Sequence, residues 1–368
     1  MVTDPTPPLK GTRFASLDAA RGIACLMVVV YHAVYALHSD AEYVAASAAE
    51  RIVLRISSMG HVGVALFFVI SGYCICAAAD STGRGAVSAR DFVIRRFRRI
   101  YPPYWAALVA SLALFALLAA LGLPIYEQAF HANPSPRALS FWSWLGTITL
   151  TEQWRYHVVG PEPRWFLGHA WTLAYEEQFY ALVCGLVLLA PRRLFGGMLV
   201  VTVIAVLAFP LGGLVRGFLI DGNWFLFVAG VGAYYALHRA SRVGARVIQG
   251  LLAAAAIAAA VLGKSELPVA MAFGLALTLL HRHDAALAAT GPMRGLRRVG
   301  RISYSLYLVH LPVALAVGCA IPHLGLTHGP LVAASIASIL LLSIGAAWGL
   351  YTAVERRFMR STAETSRP

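Results

Sequence analysis

In the stretch RGIACLMVVVYH, Arg21 and His32 stand 11 residues apart in an otherwise apolar run. On a helix this is about three turns, so both side chains fall on one face, within roughly 20°. Asp18 and Cys25 lie along the same stripe. Counted from residue 18 at about 1.5 Å per residue, His32 is roughly 21 Å along the helix. An ionisable group that deep in an apolar element faces a bundle interior or a cavity. An imidazole placed there can take a proton from a hydroxyl as a general base, or carry a group covalently. A plainer account also fits, with a structural histidine bonded to a carbonyl and an arginine that snorkels to the interface.

A second run, WTLAYEEQFYAL, places Glu176 and Glu177 five to six residues into an apolar segment. Their expected depth, roughly 8–9 Å, is close to that of His32 measured from the same side. A carboxylate beside a histidine fixes its tautomer and stabilises the imidazolium. A buried carboxylate without a partner is costly, so one of the two is expected to be functional. A third run, RDFVIRRFRRIYPPYW, is read as a loop leading to a proline pair that starts a span. Arg96 and Arg99 are three apart, as are Arg95 and Arg98, so each pair can share a helical face. Guanidinium forks bind phosphate bidentately. The competing account is ordinary interfacial anchoring with lipid phosphate contacts.

Two further segments carry polar groups. GHVGVALFFVISGYCI holds Gly60, Gly63 and Gly72 with His61, Ser71 and Tyr73. Small residues permit close helix packing, and Ser71 can equally bond back to its own helix. RISYSLYLVHLPV holds Ser303, Ser305 and His310, and Pro312 frees a carbonyl that can partner the histidine.

The elements that position these groups follow from composition. Of the 368 residues, 59% are hydrophobic and 13% charged, with a mean hydropathy of +0.69. A soluble chain carries roughly 25% charged residues. The expected fold is all-α, a polytopic integral membrane helix bundle. A span needs about 20 apolar residues. Candidates are 18–38, 60–79, 101–122, 171–190, 196–213, 222–238, 246–262, 266–281, 301–320 and 330–352, ten in all. The run 139–151 is too short to cross and reads as a re-entrant or interfacial piece. With the N-terminus inside, 23 of the 30 Lys and Arg fall in inner segments. That bias predicts ten spans with both termini cytoplasmic.

The net charge of +13 would suggest a nucleic-acid partner in a soluble protein. In a membrane protein the position of the charge matters more, and no nucleic acid is expected. Cys25, Cys74, Cys76, Cys184 and Cys319 all lie in apolar runs, which favours buried thiols over disulfides or zinc. No metal is expected. No segment reads as a cleaved signal peptide. The expected organisation is a flexible lead-in over 1–17, a membrane domain over 18–354 and a polar tail over 355–368.

Together these residues resemble the acyltransferase family 3 of integral membrane proteins. The family's arginine, ten residues, histidine pattern is matched by Arg21 and His32. Its second-span pattern is matched from Gly60 to Tyr73, and its arginine–x–x–arginine before proline by Arg96 and Arg99. Its Trp–Ser/Thr–Leu–x–x–Glu pattern is matched by Trp171 to Glu176. Its late serine, tyrosine and histidine element is matched from Ser303 to His310. The match thins between about 191 and 299.

The resemblance implies transfer of an acyl group, usually acetyl, from acyl-coenzyme A to a hydroxyl of a cell-surface glycan, with a small secondary metabolite such as a macrolide as the alternative acceptor. It implies an inner-membrane, multi-pass enzyme whose partners are the lipid bilayer, acyl-CoA and the acceptor. His32, Glu176 and Arg21 are the expected catalytic residues. Arg96, Arg99, Arg95 and Tyr101 are expected to hold the donor, with Ser71, Tyr73, Trp171, Glu177, Ser305 and His310 lining the site. The donor's phosphates would rest at the cytoplasmic end, and its thioester would meet His32 and Glu176 roughly 20 Å deeper. A transporter or a non-enzymatic glycan-export component is the rival from another class.

Overall fold

The computed structural model describes residues 14–35, 47–83, 88–123, 125–126, 134–320 and 328–359. Among these the regular structure is all helical, with no strand. The helices are α1 (Leu17–Tyr35), α2 (Ala48–Ser58), α3 (Gly63–Gly83), α4 (Ala89–Ala120), α5 (Phe141–Thr149), α6 (Glu152–Arg155), α7 (Trp171–Leu189) and α8 (Leu194–Ala208). They continue with α9 (Trp224–His238), α10 (Arg242–Val261), α11 (Glu266–Leu280), α12 (Asp284–Ala289), α13 (Gly291–Arg301), α14 (Ser303–Ala320) and α15 (His328–Leu350).

Among the described residues eight helical segments are long and apolar enough to cross a membrane, against the ten expected from sequence. The other two expected spans form α9 and α11, of 15 residues each. At 1.5 Å per residue these are about 22 Å long, short of a hydrocarbon core of about 30 Å. Large apolar side chains such as Leu189, Leu207 and Val261 stay exposed on the outer faces, as lipid contact requires. The re-entrant piece expected at 139–151 forms α5, started by Ser140, whose Oγ accepts from the Ser143 N–H at 3.1 Å.

Three expected boundaries are corrected. The arginine-rich stretch is not a loop but the first turns of α4, a single 32-residue helix. Ser88 caps it by accepting from the Asp91 N–H at 3.0 Å, and no helix breaker intervenes before the prolines. Pro102 and Pro103 then lie inside the helix, where packed neighbours can compensate. The Tyr304 hydroxyl of α14 donates to the Ile100 carbonyl at 2.8 Å, which ties the helix to its neighbour just before the prolines. The lead-in ends earlier than residue 17. Phe14 is buried, and Asp284 accepts from the Ala15 and Ser16 N–H groups at 2.6 and 2.9 Å, capping the start of α1. Residues 1–13 lie outside the described residues. The tail begins later than 355: helix continues to Met359, and buried Glu355 accepts from Ser305 Oγ at 2.5 Å.

Close packing relies on small residues. A Cβ on Gly72 of α3 would come within 2.2 Å of the Phe227 carbonyl, and one on Gly230 of α9 within 1.9 Å of the Val69 carbonyl. The two backbones therefore touch directly. α1 packs against α3, α13 and α14, and α14 is buried along most of its length. This central set of α1, α3, α4, α7 and α14 carries the polar groups singled out above.

Candidate active site

Five helices enclose a cavity with about 800 Å³ of space including its open mouth. Its polar lining comprises Arg21 from α1, Ser71 from α3, Arg96 and Arg99 from α4, and Glu176 and Tyr180 from α7. α14 closes one side with Ser303, Tyr304 and Tyr307, and Phe67, Phe68 and Ile75 supply an apolar wall. The helical period explains the selection. Thr172, Glu176 and Tyr180 recur every four residues along α7 and all face the cavity. Arg96 and Arg99 share a face of α4 in the same way.

Arg21, Arg96 and Glu176 are each held by named neighbours. Arg21 donates to Asp18 Oδ1 at 3.1 Å and reaches Cys74 Sγ at 3.1 Å. Its i,i+3 partner lies one turn back, so the guanidinium is oriented by its own helix. The Arg96 guanidinium sits 5.5 Å from the Phe92 ring centre and 5.8 Å from that of Tyr180, within cation–π range. Glu176 accepts from Ser71 Oγ and from the Tyr180 hydroxyl, each at 2.5 Å. With three guanidiniums and one carboxylate among its lining residues, the cavity favours an anion.

His32 is not among the cavity residues. Its Nδ1 lies 2.9 Å from the Val28 carbonyl and 3.2 Å from Nε2 of His310. His310 is fully buried, and its Nδ1 lies 2.6 Å from the Tyr307 carbonyl. A third ring, His169, stacks edge-on to His310 with centres 5.1 Å apart. Neither His169 ring nitrogen meets a hydrogen-bond partner of good geometry among the described residues. Tyr307 joins the two regions. Its ring lines the cavity, its hydroxyl donates to the His169 carbonyl and meets Thr172, and its carbonyl faces His310.

The sequence-predicted residues therefore divide. Arg21, Ser71, Arg96, Arg99 and Glu176 come together at the cavity, and His32 and His310 form an adjoining layer. Among the described residues no hydrogen bond joins His32 to Glu176: Glu176 Oε1 accepts from Ser71 and Tyr180, and His32 Nδ1 faces the Val28 carbonyl and His310. Glu177 is one residue on, about 100° around the helix. It lies beside Tyr101, whose hydroxyl donates to the Thr149 carbonyl at 3.3 Å. Neither lines the cavity, nor does Arg95. Tyr73 points the other way and bonds His238 Nε2 at 2.8 Å. Trp171 packs edge-on against Tyr175, and Ser305 bonds Glu355. The sequence reading missed Thr172, Tyr180, Tyr304, Tyr307 and His169. The four-residue spacing from Thr172 through Glu176 to Tyr180 was the available signal for two of them. Tyr304 and Tyr307 lay inside the matched element from Ser303 to His310 without being singled out, and His169 had no signal, because its position depends on contacts with α14.

A family model described as an acyltransferase domain, of the acyltransferase 3 type, matches residues 14–352. The exopolysaccharide production protein ExoZ of Rhizobium meliloti is 28% identical over 324 residues, covering 82% of this chain and 90% of ExoZ. Protein 2 in the picA locus of Rhizobium radiobacter is 29% identical over 165 residues, 45% of this chain and 77% of that protein. Acyltransferase MdmB of Streptomyces mycarofaciens is 27% identical over 178 residues, 47% of this chain and 39% of MdmB. No solved structure matches the chain significantly.

Proposed function

The chain belongs to the acyltransferase 3 family, and from that premise we propose that it is a multi-pass membrane O-acyltransferase, moving a short acyl group, acetyl first, from acyl-coenzyme A to a hydroxyl of a cell-surface or exported glycan. The observation that carries this reading is the cavity in which Arg21, Arg96 and Arg99 face Ser71, Glu176 and Tyr180. Guanidiniums suit the phosphates of the donor, and the wall of Phe67, Phe68 and Ile75 suits the methylene stretches of its arm and the acyl group. The similarity to an exopolysaccharide production protein, over 82% of this chain and 90% of that protein, supports a glycan acceptor. The excess of basic residues in the segments read as inner supports an inner-membrane chain with ten spans, both termini and the arginine end of the cavity facing the cytoplasm.

In the proposed step the acyl end passes Phe67 and Tyr307 toward His32. His32 takes the proton of the acceptor hydroxyl, and the oxygen attacks the thioester carbonyl. A C–O bond forms, the C–S bond breaks, and the coenzyme A thiolate leaves with the proton that His32 took from the hydroxyl, which returns His32 to its neutral form. Glu176 keeps the Ser71 and Tyr180 hydroxyls turned into one wall.

The test uses purified protein in proteoliposomes with labelled acetyl-CoA and extracted cell-surface glycan. Free thiol should appear in step with label on the glycan. A transporter or export scaffold would release no thiol, and that result would overturn the reading.

A further inference from the structure

We infer that His310 is a positioning residue that fixes the tautomer of His32, holding the proton on Nδ1 and leaving Nε2 as the basic nitrogen. The inference rests on the reading of His32 as the proton acceptor in acyl transfer.

The argument is one of donors and acceptors. A carbonyl oxygen only accepts. At 2.6 Å from the Tyr307 carbonyl, His310 Nδ1 must carry a hydrogen, because a bare nitrogen there would set two lone pairs against each other. In neutral His310 the other nitrogen, Nε2, is then an acceptor. It faces His32 Nδ1 at 3.2 Å. The same His32 Nδ1 faces the Val28 carbonyl at 2.9 Å. Two acceptors converge on one nitrogen, so that nitrogen carries the hydrogen and shares it between them. The alternatives fail on geometry. A doubly protonated His310 would aim an N–H at His32 Nδ1, which the Val28 carbonyl requires to be a donor. The opposite tautomer of His32 would turn its Nδ1 lone pair on the Val28 carbonyl.

The consequence reaches the reaction. When His32 Nε2 accepts a proton, its Nδ1–H becomes a charged donor, and both of its hydrogen bonds strengthen. His310 is itself held by Tyr307, whose hydroxyl is anchored to α7 through the His169 carbonyl and Thr172. The orientation of His32 is thus set from α14 and, through Tyr307, from α7. A carboxylate commonly serves this purpose. Here Glu176 is engaged elsewhere, and a neutral imidazole occupies the position.

The experiment reads the tautomer without turnover. Protein labelled with ¹⁵N-histidine is examined in lipid bilayers by solid-state NMR, with His32 assigned by the signals lost in His32→Gln. Wild type should show His32 protonated at Nδ1 alone. In His310→Phe, which keeps a ring and removes one of the two acceptors, only the Val28 carbonyl still favours the Nδ1–H, and the Nε2–H form should become detectable beside it. In His310→Gln the amide oxygen can accept again, and the Nδ1–H form should return. In turnover, His310→Phe should lower kcat about tenfold to a hundredfold with donor KM within about twofold, and His310→Gln should recover most of it; an orienting partner lost from a catalytic histidine costs more than this when that partner is charged. His32 protonated at Nε2 in wild type would overturn the inference, and so would a His310→Phe variant with unchanged tautomer and kcat. The wild-type spectrum decides where the proton sits whether or not a variant folds, and the His310→Phe and His310→Gln pair decides whether His310 keeps it there. A chain with no transferase activity whose His32 still loses its tautomer in His310→Phe would sink the functional reading and leave this one standing.

Discussion

The cavity and the histidine layer solve the problem of burying polar groups in opposite ways. In the cavity, charges are held by other side chains: Arg21 by Asp18 and Cys74, Glu176 by Ser71 and Tyr180, Arg96 over two rings. In the layer, His32 and His310 are held by backbone carbonyls of their own helices and by each other. The first region is charged and open, suited to a phosphorylated ligand. The second pairs a half-buried imidazole with a fully buried one, suited to moving a proton. Tyr307 belongs to both, which makes it the point where binding and chemistry meet.

If that division is correct, substitutions in the two regions should separate kcat from KM. His32→Ala should lower kcat about a thousandfold or more while the protein keeps its elution profile in detergent, within the range for loss of a general base. Full activity in that variant would erase the distinction between the regions. Glu176→Ala comes next. It leaves the Ser71 and Tyr180 hydroxyls without their acceptor, at about 1–3 kcal/mol each. Transfer should fall about a hundredfold and the thermal unfolding midpoint should drop. Arg96→Ala with Arg99→Ala should raise donor KM about ten- to a hundredfold and leave kcat within about threefold, as loss of uniform binding does. Unchanged donor KM would move the phosphate site elsewhere. Ser71→Ala should cost about tenfold or less, as loss of one hydrogen bond does. A loss as large as that of His32→Ala would instead make Ser71 an acyl carrier. Arg95→Ala, outside the cavity, should change neither constant by more than about twofold, the scale of a surface substitution.

Much of the scaffold was legible because apolar runs and helix signals are local. Each expected span has its helix, and the glycines of the second span do lie where backbones touch, with Gly72 against the Phe227 carbonyl. Where the reading failed, local signals misled. Pro102 and Pro103 looked like a start, yet α4 runs through them because Ser88 caps it earlier and α14 packs beside it. Equal expected depth paired His32 with Glu176, but depth says nothing of azimuth, and the two face different neighbours. The stretch from 191 to 299 showed no diagnostic residue. Its contribution is tertiary: Gly230 against α3, Arg239 and Tyr234 on buried Asp80, and Asp284 clasping the start of α1. None of these contacts has a signature at short sequence range.

The most direct test of the central claim, that the arginine cavity holds the donor with its acyl end toward the histidine layer, is a cryo-EM structure with a non-hydrolysable acetyl-CoA analogue. The account predicts phosphate density among Arg21, Arg96 and Arg99, with the acyl end running past Phe67 and Tyr307 to His32. Phosphates bound elsewhere, or an acyl end turned away from His32, would contradict it.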